Sequence, residues 1–182
     1  REALKVLETE GLVVLRPNHG ARVSVMSASE VADLFELVAN LERVAIELAI
    51  ERMHDKDLNK LRRMHDRMIK LYKSGRRREC FQVDYEIHQL IVSLTQNAQL
   101  ISTHAALMVR TRRGRYLALF SQARWDDSMA EHQDFMTAIE QRNAEVAGQL
   151  MRKHVLETGA VVREALHPTK PNPFTKGKAV SA

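Results

Sequence analysis

Residues 80–91 read CFQVDYEIHQLI, and turning them at about 100° per residue decides what kind of chain this is. Phe81, Val83, Ile87, Leu90 and Ile91 fall on one broad apolar arc, as a helix buried along one side requires. Gln82, Tyr85, Glu86 and Gln89 lie outside it. Asp84 and His88 sit near the middle of the arc, where such a helix ordinarily places leucine or isoleucine. An ionised carboxylate in an apolar interior is costly unless a compensating charge sits beside it.

Two later segments repeat the anomaly. Around WDDSMAEHQDFMTAIE, His132 shares its face with Trp125, Met129, Phe135, Met136 and Ile139. Around AEVAGQLMRKHVLETGAVV, His154 lies with Ala147, Leu150, Met151, Thr158 and Val161. Three helices of one bundle thus direct Asp84, His88, His132 and His154 inward. A carboxylate and three neutral imidazoles suit a borderline divalent metal such as zinc, nickel, cobalt or manganese. Such an ion accepts more donors than these four, which leaves positions for water or a small oxygen ligand. The plainer alternative is a set of hydrogen-bonded core histidines. His65 shares a face with Leu58, Leu61 and Ile69, and His104 with Leu100 and Met108. Periodicity therefore selects five inward histidines without saying which of them converge.

Outward from these helices the rest of the chain falls into place. From Ser27 to about residue 166 no strand pattern occurs, and helical periodicity runs through 28–53, 56–73, 77–95, 98–117, 123–142 and 144–166, with a break expected near Asn40. Ser27 followed by Glu30 has the spacing of a capping box. HDKD, SGRRRE and TQNAQ are short polar connections suited to antiparallel neighbours. The first 26 residues differ: REALKVLETEGL has Leu4, Leu7 and Leu12 at helical spacing and Gly11 as a stop, and LVVLRPNHGARVSV reads as a β-hairpin. A helix and one hairpin bury little, so an earlier part of that small domain is expected ahead of them. HPTKPNPFTKGKAVSA, with three prolines, reads as a flexible tail over 167–182.

Composition bounds the possibilities. The chain has 182 residues, 45% hydrophobic and 28% charged, enough for one core of ordinary size. No apolar run approaches the roughly 20 residues needed to span a bilayer. The single cysteine, Cys80, excludes an internal disulfide framework and fits a cytoplasmic protein. Seven Gly and four Pro point to long uninterrupted helices, and the formal charge of +5 is compatible with nucleic acid as a partner without requiring it.

Taken together, these motifs resemble the GntR family of bacterial transcription regulators, in its FadR-like subfamily with an all-helical effector domain (FCD). REALKVLETEGLVVLRPNHGARVSV is similar to the end of that family's winged helix-turn-helix, and LFELVANLERVAIELAIERM to its first effector-domain helix, with Glu42 at the usual place. DYEIHQLIVSLTQN resembles its Asp-x-x-x-His helix ending in Asn97, and EHQDFMTAIEQRNAEVAGQLMRKHV its closing pair of helices. The resemblance covers residues 1 to about 166.

The resemblance implies an all-α antiparallel bundle over 27–166, preceded over 1–26 by the C-terminal part of a winged helix-turn-helix. It implies a divalent metal on Asp84, His88, His132 and His154, and gives no such role to His65 or His104. It implies a small carboxylate effector near Asn97 and one arginine of the run 110–115, with Arg110 chosen by alignment. Double-stranded operator DNA would be met by Arg1 and the wing residue His19, and the whole protein would act as a homodimer with no membrane partner. Two departures stand out: Val38 replaces an arginine common on the first effector-domain helix, and His19 stands where a basic residue is frequent. Arg76, Arg77 and Arg78 read as a solvated helix start. The competing reading is a mononuclear metalloenzyme in a helical bundle, which would need a general base beside the open metal position.

Overall fold

Ser27 starts the first long helix as its spacing predicts. In the computed structural model, which describes residues 2–9, 11–16, 20–24, 26–118 and 120–167, its Oγ accepts from the backbone N–H of Glu30 (3.2 Å) and Glu30 Oε2 accepts from the N–H of Ser27 (2.7 Å). The helix so capped, α2 (Ala28–Arg52), follows a short helix α1 (Glu2–Thr9) and a hairpin of β1 (Val13–Arg16) and β2 (Gly20–Val23). Then come α3 (Asp55–Lys73), α4 (Arg77–Leu94), α5 (Ala98–Ala118), α6 (Gln122–Glu140) and α7 (Ala144–Leu166). Gly11 ends α1 at a φ of +72°, a backbone shape that L side chains rarely adopt. The strands pair antiparallel from Val13 opposite Val23 to Arg16 opposite Gly20. Pro17, Asn18 and His19 between them, Arg1, and the expected tail from residue 168 onward lie outside the described residues.

One expected boundary is corrected. The helix of residues 28–53 does not break near Asn40, because the Asn40 Nδ2 donates to the Glu36 carbonyl (2.8 Å) and its Oδ1 accepts from Arg152 on α7 (3.1 Å). An asparagine whose amide is occupied in this way does not compete for its own backbone.

The bundle is built round α2, which lies chiefly along α7; α7 also packs on α6 and α5, and α4 on α2, α3 and α5. Phe35, Ile46, Ile87, Met108, Phe135, Ile139 and Met151 are among the side chains wholly withdrawn from water. Gly159 lets α7 approach α2 closely, since a Cβ there would stand 2.5 Å from the Cβ of Phe35. By contrast α1 buries none of its residues, and Val14 and Val23 of the hairpin are exposed. Val38 belongs to this core and is fully buried.

Candidate metal centre

Asp84 and His88 occupy successive turns of α4, His132 the middle of α6 and His154 the middle of α7, each on its helix's inner side. The three imidazoles are buried, and Asp84 is partly so. One donor atom from each of the four lies within 4.8 Å of every other. Donors about 2.0–2.2 Å from a common ion stand at most roughly 4.4 Å apart, so a few tenths of an ångström would close the widest pair. Periodicity left five histidines open; the structure brings together His88, His132 and His154. His65 is set apart on α3, its ring parallel to His132 with centroids 6.4 Å apart, and His104 on α5 serves Glu42 instead.

The nitrogens explain why these groups fit a cation. His88 Nδ1 is 2.5 Å from Glu42 Oε2. Burial works to raise the Glu42 carboxyl, but His88, His104 and Arg115 outweigh it and hold it well below the usual carboxylate range. An ionised Glu42 takes a hydrogen from Nδ1 and leaves His88 Nε2 with a bare lone pair, buried and without a partner. His154 is oriented the same way by Glu131, whose Oε2 lies 2.8 Å from its Nδ1. Both nitrogens of His132 are buried without a hydrogen-bond partner, although Nε2 comes within 2.8 Å of Asp84 Oδ1. Burial drives the His132 and His154 imidazoles down to about 3 and about 4, with Asp84 and Glu131 offsetting only part. Both are therefore neutral near pH 7, with lone pairs to donate. Burial also works to raise Asp84, but Arg115, His132 and His88 hold it far below its ordinary value. Four Lewis-basic groups crowded together this closely form a site that would suit a divalent cation.

Two arginines complete the surroundings. Arg115 reaches Asp84 Oδ2 (3.3 Å) and Glu42 Oε1 (3.5 Å). Arg124, near the start of α6, donates to Glu131 (2.7 Å), to Thr158 Oγ1 (2.9 Å from Nη2) and to the His154 carbonyl (3.0 Å). Both line a narrow cleft of about 30 Å3, room for roughly one water molecule, that reaches Asp84 and His154.

The expected effector residues stand elsewhere. Asn97 Oδ1 accepts from the backbone N–H groups of Gln99 (3.1 Å) and Leu100 (3.2 Å), which makes it the cap of α5. Arg110 stands beside Gly11, and neither residue lines the cleft. Five residues separate Arg110 from Arg115, or about 140° of helix, so only one of the two can face inward. Arg115 was legible, since it continues the buried row Leu100, His104, Met108, Thr111. Arg124 and Glu131 were missed because each looks solvated on its own helix; their burial comes from α7 lying across them. Arg76, Arg77 and Arg78 open α4 at the surface: Arg76 pairs with Glu79 (2.9 Å), Arg77 lies over the Trp125 ring and Arg78 meets the Tyr116 hydroxyl. Arg1 and His19, expected at DNA, lie outside the described residues.

The FCD domain model matches residues 33–157. The Nta operon transcriptional regulator of Aminobacter aminovorans is 35% identical over 119 residues, which are 64% of this chain and 55% of that protein. The HTH-type transcriptional repressor GlaR of Escherichia coli K12 is 28% identical over 176 residues, 91% of this chain and 79% of the repressor. Among solved structures, E. coli McbR/YncC superposes with a TM-score of 0.82 at 17% identity, covering 91% of this chain and 83% of its own. Streptococcus agalactiae GntR gives 0.61 at 22% identity, covering 88% and 80%. At such identities the two structures speak for the fold.

Proposed function

Because the chain belongs to the FCD-domain family of GntR-type transcription regulators, we propose that it is the sensing part of a DNA-binding regulator, most simply a repressor. In this reading a small carboxylate meets a divalent transition metal held by Asp84, His88, His132 and His154. The observation that carries it is the set of buried, unpartnered nitrogens on His88 and His132 beside the Asp84 carboxylate. His65 Nε2 is buried without a partner too, so what sets His88 and His132 apart is that their nitrogens converge with Asp84 and His154. Such an ion supplies a Lewis-acid position for a carboxylate oxygen. The chain's own residues do the rest: Glu42 and Glu131 fix the tautomers of His88 and His154, and Arg115 steadies Asp84.

The division of labour follows the sequence: 1–26 as part of a winged helix-turn-helix, 27–166 as sensor and 167–182 as tail. The family match lies within the second segment. Operator DNA, a homodimeric assembly and a cytoplasmic setting belong to the same proposal, supported by relatives named as regulators and repressors. No helix is long and apolar enough to cross a membrane among the described residues. An acid moves the regulator only by its differential affinity for two arrangements of the bundle, and a 100-fold preference supplies about 2.7 kcal/mol. The metalloenzyme alternative lacks its general base: Glu42 is committed to His88 and His104, and Glu131 to His154 and Arg124.

Metal analysis of protein purified without a nickel column tests the reading. Wild type should carry close to one equivalent of a divalent transition metal and His132→Ala almost none; equal, trace amounts in both would overturn it. A gel-shift titration with the full-length, metal-loaded protein then gives the sign of the effector's action on DNA.

A further inference from the structure

Two of the three imidazoles at the centre have one nitrogen answered by a carboxylate of another residue. His88 Nδ1 meets Glu42 (2.5 Å) and His154 Nδ1 meets Glu131 (2.8 Å). The third imidazole differs. His132 presents Nε2 to Asp84 Oδ1 (2.8 Å), and its Nδ1 is buried without a hydrogen-bond partner. Once Nε2 gives its lone pair to an ion, Nδ1 must carry the ring's hydrogen, and a buried N–H without an acceptor is costly.

The neighbouring ring has the matching defect. His65, on α3, lies parallel to His132, with 8° between the planes and centroids 6.4 Å apart. It is 5% exposed, it is not one of the four donors, and its Nε2 is also buried with no partner. One water making two hydrogen bonds of about 2.9 Å spans up to roughly 5.8 Å between nitrogens, a reach that suits rings at this separation. Which nitrogen of His65 carries the hydrogen follows from its surroundings. The residue borders a surface groove with Arg62, Asp66, Gln133 and Glu140, where water and carboxylates accept hydrogen bonds. Its one hydrogen is best placed on that side, on Nδ1, which leaves a lone pair on the inner Nε2. A donor in need of an acceptor and an acceptor in need of a donor then sit on adjacent rings.

We infer that His65 is a positioning residue for the metal centre: its Nε2 accepts the hydrogen of His132 Nδ1, directly or through one buried water, and so fixes the tautomer in which His132 Nε2 faces the ion. His65 does for His132 what Glu42 does for His88, without adding a charge. This rests on the metal reading above and gives a task to a histidine which that reading leaves without one.

The test is zinc competition against a chromophoric chelator for wild type, His65→Phe and His65→Gln, with long-range proton–nitrogen correlation spectra of the zinc-loaded wild type carrying isotope-labelled histidines. A phenyl ring keeps the shape and the apolar contacts but offers no acceptor, whereas a glutamine amide puts a carbonyl oxygen near the place of Nε2. His65→Phe should weaken zinc binding by about tenfold or more, as loss of an outer partner of a metal-bound imidazole does, and His65→Gln should stay within about threefold of wild type. Were His65 only filling space the order would reverse, because an amide is costlier than a phenyl ring in an apolar pocket. The spectra should show His132 and His65 both protonated on Nδ1, with the Nε2 of His65 bare. They require no variant, so they decide the matter if a variant does not fold. A hydrogen on His65 Nε2 would overturn the inference, as would equal zinc affinity in all three proteins, equal losses in both variants, or a greater loss in His65→Gln. Each of those results leaves the metal reading standing. A wild type that binds no zinc would overturn that reading and this inference with it.

Discussion

Glu42 shows how much a single buried carboxylate can organise. It is 2% exposed, yet it touches His88, His104 and Arg115 from three directions. An acid that orients a ligating imidazole typically contributes one to two orders of magnitude to metal affinity. Glu42→Gln should therefore weaken zinc binding by about 10- to 100-fold with the helical content retained, as competition with a chromophoric chelator would measure. Cys80 offers an independent check of the interior. A thiol pushed up to about 11 has roughly 0.1% thiolate at pH 8, against about a quarter for an ordinary cysteine. Alkylation of the native protein by iodoacetamide should thus be at least some two hundredfold slower than after unfolding. Its rate should rise about tenfold for each pH unit between 7 and 9, because the thiolate fraction does. At this scale the sequence was partly legible. The inward direction of Asp84, His88, His132 and His154 could be read from their apolar stripes, whereas their convergence could not, because His65 and His104 lie on such stripes too. Arg124 and Glu131 could not, because an ion pair seven residues apart is ordinary on a surface and only α7 makes it interior.

The helices themselves were legible almost to the residue, since periodicity, short polar connections and the Ser27 cap all agree. Replacing Ser27 by Ala removes the oxygen that accepts from Glu30 and should cost about 1 kcal/mol, lowering Tm by roughly 2–4 °C in a chain of this size. Glycines in α7 divide by what faces them. At Gly159 an added methyl meets the Phe35 side chain next to its backbone, whereas at Gly148 it meets the far end of Glu47, a side chain that can swing away. Gly159→Ala should destabilise by about 1–3 kcal/mol; Gly148→Ala should be close to neutral or slightly stabilising, because alanine favours a helix by up to about 1 kcal/mol. Urea denaturation of the two variants side by side would check the contrast. Nothing in the local sequence separates these glycines; the difference comes from the neighbouring helix.

For the molecule as a whole, an ion that ties α4, α6 and α7 adds its binding free energy to folding. At a thousandfold excess over its Kd the gain is about 4 kcal/mol, or roughly 8–16 °C in Tm. Chelation should remove that increment from the wild type and leave His132→Ala unmoved in differential scanning fluorimetry. Convergence of donors from three helices is a whole-molecule property, and its legibility in sequence depended on a family pattern, since wheels give direction without distance. The grouping around Glu42 carries an evolutionary consequence. One acid from α2 satisfies an imidazole on α4 and both an imidazole and a guanidinium on α5, so losing it strands two imidazole nitrogens at once and leaves Arg115 with Asp84 alone of its two carboxylates. Descendants of this chain that abandon position 42 should therefore have altered 88, 104 and 115 in the same lineage, and substitutions at these four sites should be inherited as a set.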